Sequence, residues 1–170
     1  MKTREPQGCL FGWLAALFQG RSEGESVQPQ LPYRKKDYFF SQAERSFYSV
    51  LVNAVAGEFV VLSKVRLADV IYVEKGTGAW QSFFNRIQSK HVDFVLCTPS
   101  LIQPVLVIEL DDRSHDREDR RNRDAFVDEA LVAAGLPILH VPARQKYSPI
   151  ELKAGIMDRL RLGGTKPMND

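Results

Sequence analysis

The apolar run Val105–Ile108 is followed by two acids, Glu109 and Asp111, with Leu110 between them. A continuous apolar run of this kind is typical of a strand that is buried on both faces. Such a strand lies inside a sheet that is covered by helices on both sides. The chain is therefore expected to fold around a central strand whose end carries two carboxylates.

Three acids are expected to meet at this strand end. Side chains alternate along a strand, so Glu109 and Asp111 point to the same face. The preceding apolar strand, His91–Cys97, carries Asp93, which lies close to Glu109 or Asp111 if the two strands are antiparallel. Burying three carboxylates is costly unless a cation neutralises them. We therefore predict that these acids hold Mg²⁺ or Mn²⁺, a metal that can activate water and offset phosphodiester charge. An acid at a strand end can alternatively cap a turn or pair with an arginine.

The remaining periodicities predict a small α/β domain. The predicted elements are a helix that Ser41 and Glu44 cap and Gly57 ends, a strand over 59–65, a short helix over 80–87, the two strands above, a helix over 116–134, a strand over 137–141 and a helix over 149–162. The core order is helix, strand, strand, strand, helix, strand, helix, which fits a mixed four-stranded sheet flanked by helices. The long helix before the last strand is a crossover, which favours parallel pairing there.

The N-terminal region is expected to lie outside this domain. Residues 9–18 are strongly apolar, but a helix of that length is about 15 Å long, roughly half of a bilayer core. The run is interpreted as an interfacial membrane anchor, as a segment that docks on a partner or on the domain itself, or as a mis-assigned start or degenerate leader. Residues 20–32 have linker composition. The predicted organisation is an N-terminal segment over 1–31, a domain over 32–162 and a disordered tail over 163–170, in a cytoplasmic protein that can lie at the inner membrane.

Charge and cysteine usage narrow the function classes. A net charge of +2 is too small to indicate nucleic-acid binding by itself, and two distant cysteines argue against a zinc finger or a disulfide scaffold. Local charge is more informative after Asp111. His115 is placed to act as acid, base or water-orienting group, or alternatively to cap its loop. The basic side chains that follow are interpreted either as a solvated helix face or as a phosphate-binding surface: Arg113, Arg117, Arg120 and Arg121.

Several blocks of the sequence resemble a bacterial family. The strand around Asp93, the block Ile108-Glu109-Leu110-Asp111-Asp112-Arg113-Ser114-His115, and the segment Ala134–Leu139 look like domain-of-unknown-function family 2726 (DUF2726). The resemblance covers roughly residues 32–142. That family is grouped with the PD-(D/E)xK, restriction-endonuclease-like fold, and the acid pair followed by histidine is also similar to very-short-patch-repair endonucleases.

The resemblance implies a restriction-endonuclease-like three-layer core and a role for individual residues. Asp93 matches the first motif acid, Glu109 the second, and Glu44 the helix glutamate of such sites. Asp111 stands where the motif lysine usually lies, so His115, Lys64 or Lys90 is expected to substitute for it. The function implied is metal-dependent hydrolysis of phosphodiester bonds, with DNA as the expected partner. The alternative is a catalytically inactive module of the same fold that binds nucleic acid or protein.

Overall fold

The computed structural model describes residues 31–111 and 118–163, and the side chains of 118–124 are not described. The unit that carries the sheet spans Tyr38–Asp170. Its elements in chain order are α1 (Gln42–Ala54), β1 (Val60–Arg66), a 3₁₀ turn (Leu67–Asp69), α2 (Trp80–Gln88), β2 (His91–Cys97), β3 (Pro104–Asp111), α3 (Glu118–Ala133), β4 (Ile138–Pro142) and α4 (Pro149–Gly163). The α/β prediction is confirmed. The predicted short helix over 80–87 is also present, as α2, and lies between the first two strands of the predicted core order.

The sheet has the strand order β1-β2-β3-β4. β2 pairs antiparallel with both β1 and β3, whereas β4 pairs parallel with β3. The predicted parallel pairing is therefore confirmed, and the antiparallel pairing that brings Asp93 close to Glu109 is present. The parallel pair depends on α3, which carries the chain back across the sheet so that β3 and β4 end at the same edge.

Two hydrophobic clusters cover the two faces of the sheet. On the first face, α1 and α4 pack on β2 and β3, and Leu106 and Ile108 belong to this cluster. On the second face, α2 and α3 pack around Val107 and its neighbours. These three residues of β3 have no exposed surface. The prediction of a central strand buried on both faces is thus confirmed, and the domain has three layers.

The alternation of side chains reverses within β1 and β2. Residues an odd number of positions apart in a regular strand point to opposite faces. Val92 and Val95, three residues apart, nevertheless belong to the same cluster, as do Val60 and Val65, which are five residues apart. The pairing of the two strands nevertheless runs on without a shift through this region. At the reversal in β1, Lys64 has a φ of +52°, in the left-handed region. A local kink in the backbone therefore turns Lys64 toward the first face of the sheet, where α1 lies.

The predicted N-terminal segment is outside the described residues except for Leu31, and so is the predicted tail except for Gly163. Residues 31–39 are exposed and contain neither helix nor strand. Within the described part of the chain, no helix combines the length and the apolar character needed to cross a bilayer.

Candidate functional site

All four strands contribute a polar or charged residue at one level of the sheet. The neighbours of Lys64 in β1, Ser63 and Val65, pair with Phe94 and Val92 of β2. Lys64 therefore stands across from Asp93. The side chain of Asp93 reaches β3 beside Glu109. Glu109 is in turn in register with His140 of β4. We call Lys64, Asp93, Glu109 and His140 the polar row.

Asp93 is the half-buried carboxylate of the polar row. Its Oδ2 accepts a hydrogen bond from the backbone amide of Leu110 at 2.9 Å, two residues beyond the last paired position of β3 on this side, Ile108. No ion pair joins Asp93 to any residue that the structure describes. A half-buried carboxylate that has one amide donor and no cation among the described residues is suited to receive a positive charge.

Asp111 was predicted to bind metal with Asp93 and Glu109, and the structure places it against a histidine. Its Oδ1 lies 3.0 Å from Nδ1 of His140, and Nε2 of the same ring lies 3.2 Å from Oδ1 of Asp128 on α3. Across the described chain, no group of three or more acidic, histidine or cysteine side chains has the arrangement of a metal site. The three-acid site therefore stays a prediction, with Asp93 and Glu109 as its adjacent pair.

The environment of His140 favours its charged form. Partial burial by itself would lower the pKa of this ring, but the hydrogen bond to Asp111 and the charges of Asp128 and Asp111 outweigh that effect and raise the pKa above 6.5. A protonated ring can donate to both carboxylates at once. His140 therefore links the end of β3 to α3 through two charge-assisted contacts.

Glu44 and Lys64, both predicted as site residues, form an ion pair on the first face of the sheet. Nζ of Lys64 donates to both oxygens of Glu44, at 2.7 and 2.8 Å. Glu44 also closes the predicted capping box, since its Oε2 accepts from the amide of Ser41 at 2.8 Å and its own amide donates to Oγ of Ser41. Burial by itself would raise the pKa of Glu44. The hydrogen bonds and the charge of Lys64, together with the hydrogen bond from the Ser41 amide, outweigh burial and lower that pKa overall.

Five of the predicted functional side chains are outside the described residues. His115 and the proposed phosphate contacts belong to this group, which consists of Arg113, His115, Arg117, Arg120 and Arg121. Their roles stay predictions. The sequence interpretation missed Asp128 and treated His140 only as a strand residue. Alternation from the buried Ile138 was the available signal, because it places His140 on the same face as α3.

Chemically, Asp93 and Glu109 are adjacent carboxylates of a kind that suits a divalent cation. His140 is in register with Glu109, whereas Lys64 is held by Glu44 on the other face of the sheet. The family model described as "Protein of unknown function (DUF2726)" matches residues 36–160, and so extends through most of α4, beyond the predicted end of the resemblance. No curated protein and no solved structure matches the chain. The match covers most of the 170 residues, and the chain therefore belongs to the DUF2726 family.

Proposed function

We propose that this domain is a metal-dependent nuclease that hydrolyses phosphodiester bonds in DNA, with Mg²⁺ or Mn²⁺ held between Asp93 and Glu109. The observation that carries the proposal is the position of Asp93. Its carboxylate is half-buried, has no cationic partner among the described residues and reaches β3 at Leu110, next to Glu109. Two adjacent carboxylates are a usual protein contribution to a Mg²⁺ site, whose other ligands are water and phosphate oxygens.

The residues around this pair fit such a metal. Asp93 keeps one oxygen that no described donor occupies, and Glu109 is only partly buried, so the edge is accessible to solvent and substrate. A bound divalent ion supplies an activated water and offsets charge on the phosphodiester. Lys64 of β1 stands across from Asp93 of β2, and its pairing with Glu44 keeps its ammonium group on the first face of the sheet.

The order of the functional elements supports a restriction-endonuclease-like relationship. A glutamate on the first helix, an acid on one strand and a second acid on the antiparallel neighbour occur here as Glu44, Asp93 and Glu109. Asp111 occupies the place of the motif lysine and contacts His140. The proposal therefore assigns the lysine's electrostatic role to Lys64 or to His115, and it assigns Asp111 a supporting role.

Binding of nucleic acid without hydrolysis is the second candidate function. The observation that favours it is that the charged side chains near this edge are already paired. Glu44 is paired with Lys64, and Asp111 is paired with His140. In such a silent module these contacts hold the sheet and helices together, and none of the four side chains is reserved for water activation.

Metal titration and cleavage separate the two functions. We expect calorimetry with Mn²⁺ to give a saturable signal that Asp93→Asn and Glu109→Gln both abolish, together with loss of metal-dependent plasmid nicking. The matched control is Asp69→Asn, which removes an exposed acid that is paired with Arg66 outside the polar row. Mn²⁺ binding without nicking supports the silent module, and Mn²⁺ binding unchanged in both row variants refutes the metal site.

A further inference from the structure

A solvent-open pocket of about 190 Å³ lies beyond the carboxyl end of β4. Its walls are the end of the strand, the loop over 143–148, and Glu151, Leu152 and Gly155 on the first turns of α4. Pockets that enclose whole small molecules usually measure about 300 to 1,000 Å³. This pocket therefore suits a single chemical group of a larger ligand better than a complete small molecule.

The loop of this pocket is attached to the edge that carries the acids. The amide of Ala143 donates to the carbonyl of Asp111 at 2.9 Å, so the chain leaves β4 alongside the end of β3. The amide of Arg144 donates to Oη of Tyr147 at 2.8 Å, and the ring of Tyr147 packs edge-on against Phe47 of the core, 5.0 Å between centroids. The loop is thus fixed both to the sheet and to the hydrophobic core.

Two unpaired cations line the pocket. The side chains of Arg144 and Lys146 are exposed, and neither forms an ion pair or a hydrogen bond within the described chain. Two other lysines of the described domain are neutralised, Lys64 by Glu44 and Lys153 by Glu58. The carboxylate in the pocket wall is that of Glu151, so these three side chains together carry a net charge of +1.

We infer that this pocket binds a backbone phosphate of nucleic acid next to the polar row, with Arg144 and Lys146 as its ligands. The choice of nucleic acid, and not another phosphate carrier, rests on the proposed function. Arginine presents a planar fork that matches two phosphate oxygens, and lysine adds a compact charge. Because the pocket is small and open, it takes one phosphate while the rest of the strand continues along the edge toward Asp93 and Glu109.

Fluorescence anisotropy with a labelled duplex oligonucleotide of about one and a half turns tests this inference, in EDTA and over a series of KCl concentrations. The full chain is compared with an Arg144→Ala/Lys146→Ala variant. We expect affinity to fall roughly tenfold or more, and the slope of log K against log salt to decrease by about 1, the loss of one phosphate contact. The matched control is Lys75→Ala/Arg161→Ala, which removes the same charges outside the pocket and is expected to change affinity much less.

A gain-of-binding variant keeps the test independent of folding. Glu151→Gln removes the opposing carboxylate, and we expect it to tighten DNA binding about two- to threefold. Equal losses in the pocket variant and the control would overturn the inference, as would a wild-type chain that does not bind the duplex. It would also be overturned if the pocket variant lost binding to phosphatidylglycerol vesicles while its DNA affinity stayed unchanged.

The outcome for the pocket and the outcome for the metal centre can be distinguished. DNA affinity is measured here without metal, whereas the metal centre is tested by Mn²⁺ titration of Asp93→Asn and Glu109→Gln. If the pocket variant loses DNA affinity and the wild type binds no Mn²⁺, the inference about the pocket stands and the proposed metal centre is wrong. If the wild type binds Mn²⁺ and the pocket variant keeps its DNA affinity, only the inference about the pocket is wrong.

Discussion

Replacing Glu44 separates two contributions that one carboxylate makes to the stability of the domain. The side chain closes the capping box with Ser41 and accepts two hydrogen bonds from Lys64. Glu44→Gln keeps a group that can close a capping box but removes the charge. Glu44→Ala removes both interactions. The two substitutions should therefore lower the free energy of unfolding by different amounts.

The magnitudes follow from the exposure of the two partners. The side chain of Lys64 is 36% exposed and that of Glu44 is 17% exposed, so solvent screens their attraction. An ion pair of this kind contributes roughly 0.5–1 kcal/mol, and a helix cap about 1 kcal/mol. We expect Glu44→Gln to cost roughly 0.5–1 kcal/mol and Glu44→Ala roughly 1.5–2 kcal/mol. Each kcal/mol corresponds to a fall in Tm of roughly 3–5 °C at this size.

Urea unfolding at pH 7 measures both costs, and a double-mutant cycle with Lys64→Met isolates the ion pair. The pKa of Glu44 is lowered in the folded state, so the stabilisation is present above 4.5 and is lost as pH falls through the folded value. The difference between wild type and Glu44→Gln should therefore shrink in acid. A coupling energy near zero, or equal costs for Gln and Ala, would refute the assignment of two separate contributions.

Three further predictions concern other parts of the domain. Lys64→Gly should be about 1 kcal/mol more stable than Lys64→Ala in urea, because the φ of +52° is costly for any residue with a Cβ, and equal stabilities would contradict a strained backbone. The pKa of His140 is raised in the folded state, so its stabilisation is complete below pH 6.5 and is lost as pH rises through the folded pKa. NMR titration should give a pKa above 6.5 that Asp128→Asn lowers, and a pKa below 6.5 would be contrary evidence. Burial raises the pKa of the Cys97 thiol, so in a Cys9→Ser background it should react with a thiol reagent only on unfolding, and immediate reaction of the folded protein would show that the core is open.

The sheet was predictable because its pairings depend on short-range features of the chain. The apolar run of β3 and its length indicated a strand buried on both faces, and the helix before β4 required a crossover and hence a parallel pair. The capping box of Ser41 and Glu44 was likewise visible in four consecutive residues. Each of these features is decided locally, before any distant part of the chain is placed.

The site was less predictable because it depends on the exact rotation of distant elements. Alternation alone would place Lys64 on the second face of the sheet, as it does Val60, and the left-handed backbone reverses this. The contact of His140 with Asp128 depends on the rotation of α3 about its axis, which the packing of Val127 and Leu131 decides. Asp111 therefore meets a histidine that sequence spacing alone could not place beside it.

Anomalous diffraction from crystals soaked in Mn²⁺ shows whether Asp93 and Glu109 bind a metal ion together. We expect an anomalous peak between the two carboxylates, with metal–oxygen distances of roughly 2.0–2.2 Å, and no peak there in Asp93→Asn crystals soaked in the same way. An ordered crystal without a peak at this position, or with Mn²⁺ bound only at Asp111 and Asp128, would contradict the claim.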